Sequence, residues 1–325
     1  MDNVRLGMTD LHVSPICFGT WQLGGDWGGF DERDAVAAIR HALELGVNIF
    51  DTAQAYGFGA SERLLGRALA SELRSRRDDL TISTKGGLRP DERGGIVRDA
   101  SPEWLREGVE ASLRALDVDH IDLYHLHWPD PDVPIEETAC ALQDLVDEGK
   151  IRHVGVSNFD ASRMAVFART RPVETLQPPY HLFRRDIEAD VLPYCAEHDI
   201  GVLVYGPLAH GLLTGAIDAE TTFDPRDWRA ASPMFRGEAL RRNVDAVRRL
   251  EHLARELDTT VSALAIAWTL SHPTVDVAIV GARHAAHIED SVAAAALRLT
   301  DVDVAEIDAI MDGTVAVGGP TPESV

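Results

Sequence analysis

The sequence predicts an α/β fold: a closed (β/α)8 (TIM) barrel, built as a single domain over residues 1–325. Three observations predict it. Short β-branched apolar runs alternate with longer segments of helical period, the pattern of repeated βα units around a parallel sheet. There are eight such runs. No Gly/Ser/Pro-rich linker divides the 325 residues, and a hydrophobic content of 45% is enough for one large core.

Taken in order, VRLGMTDLHVSP within residues 1–15 reads as a short hairpin able to plug the lower mouth of the barrel. The strand cores follow at Ile16–Phe18, Val47–Phe50, Leu80–Thr84, Ile121–Leu126, Ile151–Val156, Thr175–Gln177, Gly201–Tyr205 and Val277–Val280. Helix punctuation lies between them. Asp31 stands before DAVAAIRHALEL with Gly46 after it, and Ser101-Pro102 opens EWLREGVEASLRAL. Two stretches, 86–100 and 208–236, exceed ordinary loop length and read as binding loops or lids. Residues 301–325 add a helix and a loose Gly/Pro-rich tail over 313–325.

The formal charge of −22 argues against nucleic acid or an anionic membrane as a partner. Cys17, Cys140 and Cys195 match neither a disulfide framework nor zinc-ligand spacing. The N-terminus lacks signal-peptide order, and the longest apolar stretch, near 261–270, is too short to cross a bilayer. The expectation is a soluble cytoplasmic protein, a monomer or weak homo-oligomer. Of the 31 basic residues only Lys85 and Lys150 are lysines. Where arginine is the default cation, a lysine can mark a site that needs a compact ammonium. Lys150 follows Gly149 at a helix end, where a cation simply suits the dipole.

Asp51, Lys85 and His127 fall at the C-terminal ends of the second, third and fourth strands. Neighbouring strands lie about 4.8 Å apart, so topology alone brings an acid, an ammonium and an imidazole together. Tyr56, five residues past Asp51 in FDTAQAYGFGASE, can fold back over them. An adjacent ammonium favours phenolate and makes a tyrosine a better acid. Asp51 would keep Lys85 charged, and His127 could hydrogen-bond a substrate oxygen or share the tyrosine proton. This set suits protonation of an oxygen that gains charge as hydride reaches its carbon. Each residue alone would more often be structural, and His125 with His127 forms an H-x-H pair of the kind that binds metal. The fifth and sixth strands bring no further ligand, so no metal is expected and His125 reads as barrel filling.

The sequence resembles the aldo-keto reductases nearly end to end, through GTWQLGG, FDTAQAYGFGASERLLGRAL, TKGG, DLYHLHWPDP, GKIRHVGVSNF, LQPPYHLF, VYGPLAHGLLTG and IVGARHAAHIED. The resemblance implies that Asp51, Tyr56, Lys85 and His127 are a catalytic tetrad with Tyr56 as the acid. It implies that Ser157, Asn158 and Gln177 hold a nicotinamide amide and that Tyr205 stacks on the ring. Gly19, Thr20, Trp21, Asp51, Gly206, Pro207, Leu208 and Gly211 complete its cofactor wall. Without the resemblance, Ser157 or Asn158 would read as a helix cap. Gly281 and Arg283, with His287 and Asp290 beyond them, form the nucleotide's phosphate and adenine end. The position of Arg283 implies a contact to a 2′-phosphate, hence NADPH with NADH possible. His287 and Ser291 depart from the family's usual Gln and Asn. Trp21, Trp27, Tyr56 and Trp128 are expected around the substrate, an aldehyde, ketone or sugar, and Trp228 over the cofactor. Rival readings are a nicotinamide-binding regulatory subunit with little turnover and a cofactor-free phosphate-binding isomerase.

Overall fold

Runs such as Gly201–Tyr205 and Val277–Val280 are apolar on both faces, which suits strands covered inside by a barrel core and outside by helices. A computed structural model describes residues 1–24, 30–92, 95–224, 227–282 and 284–324 of the chain. The barrel strands are β1 (Ile16–Gly19), β2 (Ile49–Asp51), β3 (Thr81–Gly86), β4 (Ile121–Leu126), β5 (Ile151–Ser157), β6 (Thr175–Gln177), β7 (Gly201–Tyr205) and β8 (Val277–Gly281). All pair in parallel and in chain order, β8 returning to β1, so the sheet closes without an edge. Every strand core read from the sequence lies on or beside its observed strand.

The pleat sorts side chains between two apolar clusters. Phe18, Phe50, Ile82, Tyr124 and Val154 face outward under the helices, while Cys17, Ile49, Leu123, Leu203 and Val277 fill the barrel. Leu6, Leu11 and Val13 of the N-terminal hairpin, whose strands Val4–Arg5 and His12–Val13 are antiparallel, join the inner cluster and seal its floor. The hairpin approaches β7 closely at Gly7: a Cβ there would stand 2.1 Å from Gly201 N.

The punctuation works as the sequence implies. Asp31 Oδ1 accepts from Arg33 N at 2.7 Å to cap the helix Glu32–Glu44, and Ser101 Oγ caps Pro102–Leu116 through Trp104 N. Lys150 pairs with Glu110 and Glu148 near the surface, as an ordinary helix-end cation. Three expectations need correction. Stretch 86–100 is not an open loop but carries an antiparallel hairpin, Leu88–Pro90 with Ile96–Arg98. Stretch 208–236 is broken by short helical turns at Ala209–Thr214, Trp228–Ala231 and Pro233–Phe235. The tail beyond the helix Asp301–Met311 is not loose: Val317 N donates to Phe183 O at 3.1 Å, and the chain runs back across the top of the barrel.

Candidate active site

Barrel stagger builds the site. Asp51 on β2 is in register with Ser83, and Lys85, two residues further along β3, with His125 on β4. Each step around the barrel therefore climbs one inward-facing layer, and His127, just past β4, is the next step up. Its backbone N donates to Gly86 O at 2.9 Å.

The four groups meet. Lys85 Nζ donates to Asp51 Oδ2 at 2.6 Å and to Thr52 O at 2.7 Å, with Tyr56 Oη at 3.4 Å. Lys85 is 1% exposed and Asp51 3%. Burial works against the ammonium, but the charge of Asp51, and then the Tyr56 oxygen, outweigh it and raise the Lys85 pKa above its ordinary value. Asp51 is itself held, its Oδ1 accepting from Ser83 Oγ at 2.9 Å and Gln177 Nε2 at 3.0 Å. The His127 ring stands edge-on to Tyr56, centroids 5.8 Å apart. Burial, then the Lys85 charge, push its pKa well below the ordinary value, so the imidazole is neutral.

Tyr56 is fixed from behind. Trp21 stacks beside it, ring centroids 6.4 Å apart. At Gly24 the backbones come so close that a Cβ would lie 2.9 Å from Tyr56 C. His125 is inside the barrel, its ring nitrogens facing Ser83 Oγ at 3.4 Å and Thr175 Oγ1 at 3.1 Å, with its pKa lowered to about 3 by burial. It fills space, as expected.

Above these groups opens a cleft of about 620 Å³. Asp51, Tyr56, His127 and Trp128 line it at one end. Ser157, Asn158, Gln177 and Tyr205 form a polar and aromatic wall, and Gly281, His287 and Asp290 extend it past β8. Gly19, Trp21, Gly206, Pro207, Leu208 and Gly211 also face it. Asn158, at φ 62°, donates from Nδ2 to His127 O at 3.0 Å and accepts from Tyr205 Oη at 2.8 Å. Neither Asn158 nor Ser157 caps a helix; Asp160 caps Ala161–Phe167. The amide and hydroxyl groups are thus locked together beside the Tyr205 ring.

Two expectations differ. Thr20 is buried behind the wall, with its hydroxyl donating to Asp51 O and accepting from Ser61. Trp228 packs edge-on against His210 and Phe235, 4.9 and 5.6 Å between centroids, while its neighbour Arg229 reaches the wall. Trp27 and Arg283 lie outside the described residues. The sequence reading missed Gln22, His210, Ser262 and the tail residues Gly319–Pro322, all of which line the cleft. A Gly/Pro run near a terminus carries no local signal that it will line a cleft built from strand ends along the whole chain.

An acid-bound ammonium under a phenol, with a long cleft and an aromatic wall beside them, thus stands at the C-terminal face of a closed parallel barrel. The sequence model of the Aldo/keto reductase family matches residues 15–312, and the chain belongs to that family. The aldo-keto reductase YhdN of Bacillus subtilis (strain 168) is 40% identical over 318 residues, covering 97% of this chain and 95% of that one. The NADH-specific methylglyoxal reductase of Escherichia coli (strain K12) is 33% identical, covering 93% and 96%. Among solved structures, the glycerol dehydrogenase AKR11B4 from Gluconobacter oxydans aligns with a TM-score of 0.89 and 39% identity, over 98% of this chain and 97% of that one. Members of the family are oxidoreductases of carbonyl compounds. No described helix is long and apolar enough to cross a membrane.

Proposed function

We propose that this chain reduces an aldehyde or ketone to an alcohol with NADPH, reversibly, with Tyr56 supplying the proton. The observation that carries the reading is the 2.6 Å Lys85–Asp51 contact, with the Tyr56 hydroxyl 3.4 Å from the same ammonium, at the floor of the cleft. A dinucleotide fits the residues present. Tyr205 offers a ring face, Ser157, Asn158 and Gln177 a fixed polar wall for an amide, and the strand β8 end a site for phosphate. When bound, the reduced nicotinamide supplies the hydride.

The chain's own groups then handle the oxygen. His127 is neutral, so it donates a hydrogen bond but is a poor acid. Tyr56 is left as the proton donor, and the ammonium of Lys85 stabilises the phenolate that remains. Asp51 holds that ammonium charged against burial, which pushes its pKa down. Arg283, just after β8 in the sequence, supports NADPH, because a guanidinium suits a 2′-phosphate. The test is nicotinamide absorbance with a model aldehyde. Wild type should turn over and Tyr56→Phe should retain cofactor binding but almost no turnover. Turnover in Tyr56→Phe close to wild type would remove the proposed acid. The likeness to a glycerol dehydrogenase supports polyols and hydroxy-ketones as the first substrates to try, in both directions.

A further inference from the structure

One side chain at the mouth of the cleft joins three of its walls. Arg98, ending the hairpin strand Ile96–Arg98, donates from Nε to Glu323 Oε1 at 2.7 Å and from Nη2 to Glu323 Oε2 at 3.3 Å. Its Nη1 donates to Pro129 O at 2.9 Å, and its guanidinium lies 5.2 Å from the centre of the Trp128 ring. Ile96 of the hairpin, Trp128, and Thr321 and Pro322 of the tail all face the cleft. The contact spans 225 residues of sequence, so it is a tertiary clasp and not a local turn.

The residue type explains the arrangement. A guanidinium presents donors in a rigid fork and a flat face, so it can grip both oxygens of a carboxylate and still reach a carbonyl and an indole. Upstream, the tail is pinned where Val315 N donates to Asn243 Oδ1 and Val317 N to Phe183 O. Between that anchor and Glu323, residues 319–322 bridge the opening beside His210. Glu323 keeps half its side chain exposed, so the clasp is weak enough to open.

We infer that Arg98 is a specificity-determining residue: by clasping Glu323 it sets the tail as a roof over the substrate end of the cleft and favours short carbonyl compounds over bulky ones. The inference rests on the carbonyl-reduction reading for its substrate class, while the clasp itself does not. Thr321 and Pro322 line the same cleft as Ile96, Trp128 and Tyr56, so the tail forms part of the wall at the substrate end. A large aromatic aldehyde needs the tail lifted.

Arg98→Ala, Glu323→Gln and the double variant test this, each assayed with one cofactor on a short aliphatic and a bulky aromatic aldehyde. The ratio of kcat/KM, bulky over short, should rise about two- to fivefold in each single variant, the factor a partly exposed ion pair is worth. The double variant should match Arg98→Ala, because Glu323 acts on the substrate ratio through Arg98. Backbone hydrogen exchange over residues 317–324, read by mass spectrometry, should quicken in all three proteins. That readout does not depend on turnover, so a protein inactive on every carbonyl would sink the functional reading and leave the clasp still under test. Unchanged exchange in Arg98→Ala overturns the clasp. Faster exchange with an unchanged substrate ratio overturns the specificity role, as does Glu323→Gln behaving as wild type while Arg98→Ala does not.

Discussion

Replacing Asp51 with Asn keeps the size and shape of the side chain while removing the charge that decides the state of Lys85. Asp51 Oδ2 faces the ammonium at 2.6 Å, and Oδ1 accepts two further donors, Ser83 Oγ and Gln177 Nε2. An amide cannot serve both sides: its NH2 must point either at an ammonium or at a hydroxyl and another amide. Both partners are nearly inaccessible to water, so the change leaves an uncompensated buried charge, at a cost of about 3–5 kcal/mol. Lys85 responds because burial lowers its pKa and Asp51 is the first influence that raises it. In the wild type the folded pKa lies above the unfolded value of 10.5, so this stabilisation is complete below that pH and is lost as pH rises through the folded pKa. In Asp51→Asn the pKa falls, and an alkaline limb should enter the working range of the kcat profile. At neutral pH, kcat should fall about 10²-fold or more, the scale of a lost acid–base contribution. The assay is nicotinamide absorbance from pH 6 to 10, with urea denaturation alongside. A variant with wild-type kcat, an unshifted profile and unchanged stability would refute the account of how Lys85 is held.

Two other predictions concern cofactor choice and the barrel floor. Arg283→Ala should raise the KM for NADPH far more than that for NADH, because one charge-assisted phosphate contact goes; equal effects in steady-state kinetics would contradict the preference. Asp276, whose Oδ2 accepts from Val202 N, has its pKa raised to about 6 by burial, so the folded state favours the protonated acid and stability falls as pH rises from the unfolded value of 3.8 through about 6. Asp276→Asn should therefore be more stable than wild type at pH 8, by about 1–3 kcal/mol, and the gain should shrink by pH 5; urea midpoints at the two pH values check it.

The legibility of this chain follows from where its information is local. Strands such as Gly201–Tyr205 are buried on both faces, so they appear as unbroken apolar runs, and caps such as Asp31 and Ser101 act within three residues of themselves. The hairpin at 88–98 leaves no such signature, because its strands are three residues long, with Pro90 and Gly95 interrupting any alternation. The packing of Trp228 against His210 and Phe235 is equally silent in the sequence, because an aromatic in a long connection shows nothing of which side it will pack against.

The sequence by itself determined the eight strands, their helices, and the set of an acid, an ammonium, an imidazole and a phenol at successive strand ends. It could do so because a parallel barrel closes in chain order, which turns position along the chain into position around the ring. What only the tertiary structure decided is the vertical stagger that puts Lys85 one layer above Asp51, the neutrality of His127, and the return of the tail through Glu323 to Arg98. Those depend on register, burial and contacts between residues far apart in sequence, and no local pattern of side chains encodes them.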